Sequence, residues 1–344
     1  MKAIVIHKEH DLRIDEIIQE THGPDQIVVR ILRGGICGSD LHYFHHGGFG
    51  TVRLKEPMIL GHEVAGEIIS MGSNVRNLKL GDRIALNPSR PCNHCDYCQR
   101  GQQNQCLDMR FYGSAMRFPH VQGAFRQTIV AEAIQAHVVN PNIAIEEAAF
   151  AEPFAVTLHA VNRAGPLLNK RVLVTGCGPI GALAIVAAKE NGAREIFATD
   201  ISDFTLKLAR EMGADHTVNV KTAPEGMTLL KNGKGQIDIM IEASGSEAAL
   251  HLGLEVLRPR GILVQLGLGG LLNIPQNIVV GKEIEIRGSF RFHDEFALAV
   301  DLINRRRVDL RPLLTEVVSL NEAKRAFDLA SDRSKAMKVQ IDFE

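Results

Sequence analysis

The sequence predicts an α/β protein of two domains, one mostly β and one built on a doubly wound parallel sheet. Short apolar runs bounded by Gly, Pro or Asp fill the chain up to residue 148. Between residues 149 and 280, strand patterns alternate with helix patterns, which favours a parallel sheet with helices on its faces. The length of 344 residues suits two domains.

The two ends of the chain are predicted to form one domain together. The runs MKAIVI, QIVVRILRGG and HEVAGEII predict short strands in the first part. After residue 280 the pattern is strand-like again, in EIEIRGSF and in the closing MKVQIDF. We therefore expect 1–148 and 281–344 to complete one domain around an inserted domain at 149–280.

Charge and hydropathy exclude several classes of partner. The chain has 39 basic and 40 acidic residues, for a formal net charge of −1, and no basic block. This balance argues against nucleic-acid binding and against a polybasic membrane patch. No apolar run approaches the ~18–20 residues that a membrane span needs, and the N-terminal apolar run is too short for a signal peptide. We expect a cytoplasmic protein that acts on a small molecule.

Four of the six cysteines lie within fifteen positions, in the order Cys92, Cys95, Cys98 and Cys106. Thiolates spaced by two residues wrap naturally around one tetrahedral zinc ion, and the fourth closes the site. A site with four thiolates has no open position, so the spacing predicts a structural zinc. An iron–sulfur cluster, a disulfide pair and free thiols are the alternatives.

The segment TGCGPIG at 175–181 has the spacing of a dinucleotide-binding loop, as in a Rossmann domain. It follows the apolar strand RVLVT and opens a helix, which is the context that the motif requires. The residues expected to contact the cofactor phosphates or to shape the loop are Gly176, Gly178, Pro179, Ile180 and Gly181.

Asp200 ends the next predicted strand, at the place where such domains carry a carboxylate for the ribose hydroxyls. A carboxylate there repels a 2′-phosphate, and the neighbouring Ser202 and Asp203 offer no cation. The sequence therefore favours NAD as the cofactor, with NADP left open.

Reactive side chains are concentrated on two glycine-rich turns. GGICGSDLH at 34–42 supplies Cys37, Ser39 and His42, and GHE at 61–63 supplies His62 and Glu63. One thiolate, one imidazole and a carboxylate suit zinc, and mixed ligands that leave a place for water or substrate suit catalysis. Spacing alone does not prove that the side chains converge, since each one is also an ordinary core or loop residue.

The motifs GGICGSDLH, GHE, the four-cysteine lobe, AEPFAV, GCGPIG and GSFRF follow one another over nearly the whole chain. In this combination the chain resembles the zinc-dependent medium-chain dehydrogenases, within their sorbitol dehydrogenase branch. The resemblance implies a GroES-like catalytic domain and a Rossmann domain. The stretch at 87–125 is similar to the bacterial members that oxidise the sugar acid L-idonate.

The resemblance implies the ligands of a catalytic zinc. Cys37 and His62 match the family's ligands, and Glu63 matches the carboxylate that binds zinc in the sorbitol branch. Glu152, in AEPFAV, matches a glutamate that binds zinc directly or through water.

Further roles follow from the same resemblance. Ser39 matches the hydroxyl that takes the alcohol proton, and His42 matches the outer histidine of the proton relay. Arg291, in GSFRF, matches an arginine that lines the polyol pocket, and we expect Tyr43 to contact the substrate as well. Arg110 and Arg291 are candidates to bind the carboxylate of a sugar acid, which needs a fork of N–H donors.

The expected function is the reversible, NAD-linked oxidation of L-idonate to 5-ketogluconate. A polyol dehydrogenase acting on sorbitol or xylitol is the alternative enzyme. A nucleotide-binding protein without turnover is an alternative of another class, but it predicts damaged ligand positions, and Cys37, His62 and Glu63 are intact. By resemblance the protein is a homo-oligomer, with a tetramer expected.

Overall fold

The computed structural model describes all 344 residues, which form two compact units. The first unit consists of Met1–Glu152 and Phe296–Glu344, and the second of Pro153–Glu295. None of the helices has the length and apolar character that crossing a membrane demands.

The strands, in chain order, are β1 (Lys2–Lys8), β2 (Asp11–Glu16), β3 (Gln26–Gly35), β4 (Gly48–Phe49), β5 (Val52–Arg53), β6 (Met58–Ile59), β7 (Glu63–Met71), β8 (Arg83–Leu86), β9 (Ser89–Arg90), β10 (Arg110–Phe111), β11 (Thr128–Glu132), β12 (Ala136–Val138), β13 (Arg171–Thr175), β14 (Glu195–Asp200), β15 (His216–Asn219), β16 (Ile237–Glu242), β17 (Leu257–Gln265), β18 (Glu285–Gly288), β19 (Leu314–Ser319) and β20 (Lys338–Asp342).

The α-helices are α1 (Gly38–His46), α2 (Asp96–Gln99), α3 (Ile145–Ala148), α4 (Ala151–Ala164), α5 (Pro179–Glu190), α6 (Asp203–Glu211), α7 (Glu247–Val256), α8 (Gln276–Lys282), α9 (Glu295–Asn304) and α10 (Ala323–Ser331). Short 3₁₀ helices cover Gln103–Gln105, Ala133–Gln135, Pro224–Lys231, Arg311–Leu313 and Leu320–Glu322.

The first unit is organised around β3. Its main sheet runs in the order β12, β8, β7, β3, β20, β19, and β11 also pairs with β3. Apolar side chains from β3 and β7 are fully buried, including Ile27, Val29, Ile31 and Ile68. They belong to one core that also includes side chains of α1 and α10.

The C-terminal strand completes this sheet. β20 pairs antiparallel with β3, where Gln340 lies opposite Gly35, and parallel with β19. The last strand of the chain therefore lies beside the strand that leads to Cys37.

The second unit contains a six-stranded sheet in the order β15, β14, β13, β16, β17, β18, and all its pairs are parallel. This order is that of a Rossmann domain, and it confirms the predicted fold class. β13 and β16 lie in the middle of the sheet, and their side chains are almost entirely buried. This explains their continuous apolar runs.

The chain returns to the first unit later than the sequence analysis predicts. The prediction begins the closing segment at residue 281, but β18 pairs parallel with β17, with Gly288 opposite Gln265. The segment 281–295 therefore belongs to the second unit. The error has a physical reason: β18 is an edge strand with mostly exposed side chains, and a half-exposed pattern does not distinguish a parallel edge strand from an antiparallel one.

The second unit ends in a network around Glu295, which is 9% exposed. Its carboxylate accepts hydrogen bonds from His159 Nδ1 at 2.9 Å, Asn162 Nδ2 at 2.9 Å and the His293 N–H at 3.0 Å. Burial raises the pKa of Glu295, but these bonds outweigh burial and hold its pKa at about 2.

This network predicts a pH-dependent contribution to stability. Because the pKa is depressed by folding, the stabilisation by Glu295 is complete above the ordinary value of 4.5 and is lost as pH falls towards about 2. We expect Glu295→Gln to lower the melting temperature at pH 6 and the deficit to shrink steadily below pH 4.5. Thermal unfolding of both proteins over this pH range measures the difference, and a deficit independent of pH contradicts the assignment.

Candidate active site and metal centres

Cys37, His62 and Glu63 meet because two strands pair beside them. β3 ends at Gly35, which lies opposite Glu63, the first residue of β7. Cys37 follows β3 and caps α1, and His62 directly precedes β7. One ligand atom from each of Cys37, His62 and Glu63 lies within 4.8 Å of the other two.

The turn before His62 depends on Gly61. Its φ is +89°, in the left-handed region that disfavours other residues. A Cβ at this position would lie 2.0 Å from the ring of Phe125. The backbone therefore reaches His62 along a path that a side chain would block.

Asp40 ties the two turns together, and the sequence analysis missed it. Its carboxylate is fully buried and accepts hydrogen bonds from the N–H groups of Cys37 at 3.0 Å and Gly61 at 3.1 Å. It also lies 3.9 Å from Nδ1 of His62. Burial raises the pKa of Asp40, while His62 and the two N–H donors oppose that rise.

The donor set fits a zinc ion. Nδ1 of His62 is buried and has no hydrogen-bond partner, which is costly in a purely structural arrangement. Burial raises the pKa of the Cys37 thiol to about 12, and the charge of Glu63 adds to the rise. A divalent cation in the cluster stabilises the thiolate of Cys37 and offsets the charge of Glu63, and an imidazole nitrogen of His62 completes the set of ligand atoms.

Lys338 is a second residue that the sequence analysis missed. It begins β20, is 3% exposed, and donates from Nζ to both carboxylate oxygens of Glu63 at 2.8 and 2.7 Å. Glu63 itself is 1% exposed. The only sequence signal is a lysine inside an apolar closing strand, and such a lysine is normally an exposed edge residue.

Glu152 lies in the first turn of α4 and is 5% exposed, but it is not part of the set within 4.8 Å. Burial raises the pKa of Glu152 to about 8, with a further rise from Glu63 and an opposing effect of His62. The carboxyl group therefore interacts with the cluster without joining it, which agrees with a ligand that acts through water better than with a direct one.

The other predicted residues of α1 have different surroundings. Ser39 is partly exposed, and its hydroxyl lowers the pKa of the nearby Cys37 thiol, against the larger effect of burial. His42 is partly buried, and burial lowers its pKa, as does the proximity of His46, Arg333 and His45. Tyr43 is 1% exposed and its hydroxyl accepts a hydrogen bond from the Ala115 N–H at 2.9 Å. Tyr43 is thus a core residue in this structure, and a direct contact with substrate stays a prediction.

The four cysteines of the lobe also converge. Their sulfur atoms all lie within 4.8 Å of one another. Backbone N–H groups point at these sulfurs, from Cys92 to Cys106 Sγ at 3.1 Å and from Cys95 to Cys92 Sγ at 3.3 Å. Backbone donors, from Cys98 above all, lower the pKa of Cys95 to about 6. Burial raises the pKa of Cys98 and Cys106 instead. Four sulfurs this close together fit a tetrahedral zinc, which stabilises all four thiolates.

The glycine-rich loop has the geometry that phosphate binding needs. Gly176 has a φ of +80°, Gly178 caps α5, and Pro179 is the first residue of that helix. A Cβ on Gly181 would lie 1.8 Å from the carbonyl oxygen of Gly176, whereas a Cβ on Gly178 would meet nothing within 4 Å. Gly181 is needed for packing, and Gly178 leaves the backbone open to a ligand.

Asp200 has a structural task at the same loop. Its Oδ2 accepts the Cys177 N–H at 2.6 Å, and its Oδ1 accepts the N–H groups of Ile201 at 2.7 Å and Ser202 at 3.0 Å. The carboxylate therefore fastens the glycine-rich loop to the end of β14, where the sequence analysis expects the ribose.

The predicted arginines lie in different units. Arg110 is exposed on β10 in the first unit. Arg291 belongs to the second unit, has a φ of +55° and stacks on Phe290, 4.9 Å from the ring centroid. Their contacts with substrate stay predictions.

Comparison with known proteins identifies the class. Residues 23–141 match the alcohol dehydrogenase GroES-like domain, and residues 179–305 match the zinc-binding dehydrogenase domain. The chain belongs to the zinc-binding alcohol dehydrogenase family. The predicted family, the GroES-like and Rossmann folds, the dehydrogenase class and the zinc and nicotinamide cofactors are thereby confirmed.

Individual relatives are more specific. L-idonate 5-dehydrogenase (NAD(P)(+)) of Escherichia coli K12 is 45% identical over 318 residues, which cover 92% of this chain and 91% of the relative. Sorbitol dehydrogenase of Bacillus subtilis is 34% identical over 99% of this chain and 97% of its own length. The crystal structure of L-idonate 5-dehydrogenase from E. coli K-12 superimposes with a TM-score of 0.96 at 41% identity, covering 99% of this chain and 97% of that one.

The two glycines of the loop make a matched test. We expect Gly181→Ala to lower both the melting temperature and the affinity for NADH, because its methyl group clashes with the backbone of Gly176. Gly178→Ala should cost less than about 1 kcal/mol of stability but weaken NADH at least about tenfold, because its methyl group stands where phosphates approach. Thermal unfolding and calorimetric titration measure the pair, and wild-type NADH affinity in Gly178→Ala contradicts this role.

The lobe is expected to be structural. Cys95→Ser should remove about one zinc ion per chain and lower the melting temperature, because one of four thiolates is lost. The turnover number of the folded protein should stay within about threefold of wild type, since four thiolates leave no open position for substrate. Metal analysis, thermal unfolding and kinetics at 20 °C measure the three effects. Loss of turnover in a variant that is still folded would contradict a purely structural lobe.

Proposed function

We propose that this protein catalyses the reversible, NAD-linked oxidation of L-idonate at C5 to 5-ketogluconate. The observation that carries the proposal is the 45% identity, over 92% of the chain, to an L-idonate 5-dehydrogenase. The structural match at a TM-score of 0.96 supports it. A three-residue metal centre in the same chain supplies the chemistry that such a reaction needs.

Cys37, His62 and Glu63 hold the catalytic zinc in this proposal, with Glu152 beside it. Zinc, when bound, polarises oxygen and draws the pKa of a bound hydroxyl towards neutral pH. The buried Asp40 holds the backbone of Cys37 and Gly61 so that the ligands stay in place. Cys92, Cys95, Cys98 and Cys106 hold the structural zinc.

In this proposal Ser39 takes up at its Oγ the proton that leaves the alcohol and at the same time gives up its own hydroxyl proton, which is passed on through the cofactor ribose to His42. Two observations support this role: Ser39 is partly exposed, and it is near enough to Cys37 to affect the pKa of that thiol. His42 follows on the same helix, and its lowered pKa keeps the imidazole neutral near pH 7 and able to accept a proton. His46, one turn further and exposed, places the end of this route at the surface.

The cofactor is bound by the second unit. The loop of Gly176, Gly178, Pro179, Ile180 and Gly181 presents backbone N–H groups to the phosphates at the start of α5. The nicotinamide ring accepts the hydride when it is bound. The carboxylate of Asp200 accepts hydrogen bonds from the ribose hydroxyls and repels the 2′-phosphate of NADP, so NAD is the proposed cofactor.

Three further residues bind the substrate in this proposal. Arg110 and Arg291 provide guanidinium groups for the sugar-acid carboxylate, and Tyr43 shapes the wall of the pocket from the core. A cytoplasmic homo-oligomer, a tetramer by analogy, is the proposed state.

A polyol dehydrogenase is the second candidate. The 34% identity to a sorbitol dehydrogenase over 99% of the chain favours it. Both candidate reactions use the same metal centre. The two enzymes therefore differ only in the side chains that face C1 of the substrate, which is a carboxylate in L-idonate and not in a polyol.

A substrate panel decides between the candidates. With purified protein and NAD, we expect L-idonate to give a kcat/KM at least about tenfold above those of sorbitol and xylitol, because a paired carboxylate contributes about 1.4 kcal/mol or more. NADP in parallel should be the poorer cofactor. The measurement is NADH formation at 340 nm with product identification.

The contrary results are equally clear. Strong sorbitol oxidation without idonate oxidation overturns the substrate and leaves the enzyme class. Turnover that survives complete removal of zinc overturns the metal mechanism.

A further inference from the structure

The ion pair between Lys338 and Glu63 is almost completely enclosed. The two side chains are 3% and 1% exposed. Nζ of Lys338 donates to both oxygens of Glu63 at 2.7 and 2.8 Å and to the carbonyl oxygen of Ile36 at 3.2 Å. All three donors of the ammonium group are therefore used within the site.

The pair adjoins the metal centre directly. Glu63 contributes a ligand atom within 4.8 Å of ligand atoms from Cys37 and His62. The ammonium group of Lys338 is thus a permanent positive charge beside the donors that hold the metal, and it is excluded from water.

We propose that the ammonium group of Lys338 replaces the positive charge of the metal when the site holds no ion, and that it lowers the affinity for zinc when the metal is bound. The inference rests on the proposed function only in that Cys37, His62 and Glu63 bind zinc.

Electrostatics gives the direction of the effect. Without metal, Lys338 is attracted by the carboxylate of Glu63, which would otherwise be buried without a counter-charge. When zinc is bound, the carboxylate of Glu63 coordinates the metal ion. The ammonium group of Lys338 then lies near a dication, and the two positive charges repel each other. Lys338 therefore stabilises the metal-free protein more than the metal-loaded protein. In a thermodynamic cycle, a group with this preference lowers the affinity for the metal by the same factor.

Lys338 is not needed to orient Glu63. The backbone of Glu63 is paired with Gly35 in the sheet. A Cβ on Gly35 would lie 2.3 Å from Oε2 of Glu63, so the carboxylate packs closely against the backbone of β3. Glu63 is therefore held in place from two sides without the lysine, and the charge is the main contribution of Lys338.

Three substitutions separate charge from orientation. Lys338→Met removes both the charge and the donors, Lys338→Gln keeps an N–H donor without the charge, and Lys338→Arg keeps the charge. Lys282→Met is the matched control, because Lys282 in the second unit also makes three hydrogen bonds from Nζ, to the carbonyl groups of Leu254, Glu255 and Leu257.

The measurement is the affinity for the metal, read without turnover. Each full-length protein is titrated with zinc against a chelator, and with Co²⁺ to distinguish the two sites, because a centre with mixed ligands and a four-thiolate centre give different absorption bands. The four-cysteine site is the internal reference. Thermal unfolding of the metal-free and metal-loaded forms completes the cycle.

We expect Lys338→Met and Lys338→Gln to bind zinc at the three-residue centre at least about tenfold more tightly than wild type. The melting temperatures of their metal-free forms should be lower than that of metal-free wild type. The difference in melting temperature between the metal-free and the metal-loaded form should therefore be larger than in wild type. Lys338→Arg and Lys282→Met should keep wild-type affinity within about threefold, because neither changes the charge at the centre. If metal-free Lys338→Met does not fold, slower release of zinc from the loaded variant carries the same information.

Unchanged or weaker zinc binding in both Lys338→Met and Lys338→Gln overturns the inference. Weaker binding in Lys338→Met with wild-type binding in Lys338→Gln overturns it too, in favour of an orienting role. Wild-type protein that binds metal only at the four-cysteine site removes the metal premise. Two bound metal ions without turnover on any alcohol overturn the proposed function but leave the role of Lys338 intact.

Discussion

The antiparallel pairing of β3 with β7 is the constraint on which the chemistry of this protein depends. It sets Gly35 opposite Glu63, and the residues just beyond this pair, Cys37 and His62, then face each other. A slip of one residue would turn Glu63 to the other face of the sheet. The same β3 pairs on its other side with β20, which brings Lys338 to the same place. One strand thus collects groups from three distant parts of the chain.

This arrangement buries three carboxyl groups, and each of them has different surroundings. Asp40 accepts two backbone N–H groups, which hold the turns of Cys37 and Gly61. Glu63 is paired with the ammonium group of Lys338. Glu152 has no such partner, and burial raises its pKa to about 8. A dication in the cluster therefore enters a site whose charge is already partly balanced, and this balance determines how firmly the metal is held.

In the second unit, the shape of the glycine-rich loop depends on two local contacts. Its glycine-rich loop is shaped by the close contact of Gly181 with the carbonyl group of Gly176, and it is fastened by the hydrogen bond from Cys177 to Asp200. Asp200 therefore shapes the loop as well as facing the expected ribose. A substitution at Asp200 is expected to disturb the loop, because both carboxylate oxygens accept hydrogen bonds from backbone N–H groups there.

Features that are encoded within a few residues can be predicted from the sequence. The cysteine lobe lies within fifteen positions, the glycine-rich loop within seven, and strands alternating with helices indicate a parallel sheet; the fold class and the family follow from these local patterns. The remaining features depend on contacts between distant segments. Lys338 lies 275 positions from its partner Glu63, and the side chains of the edge strand β18 are mostly exposed, so that its pattern does not reveal which sheet it joins. The hydrophobic pattern of a strand does not identify the distant strand with which it pairs. The choice of partner depends on which surfaces are buried together in the folded protein.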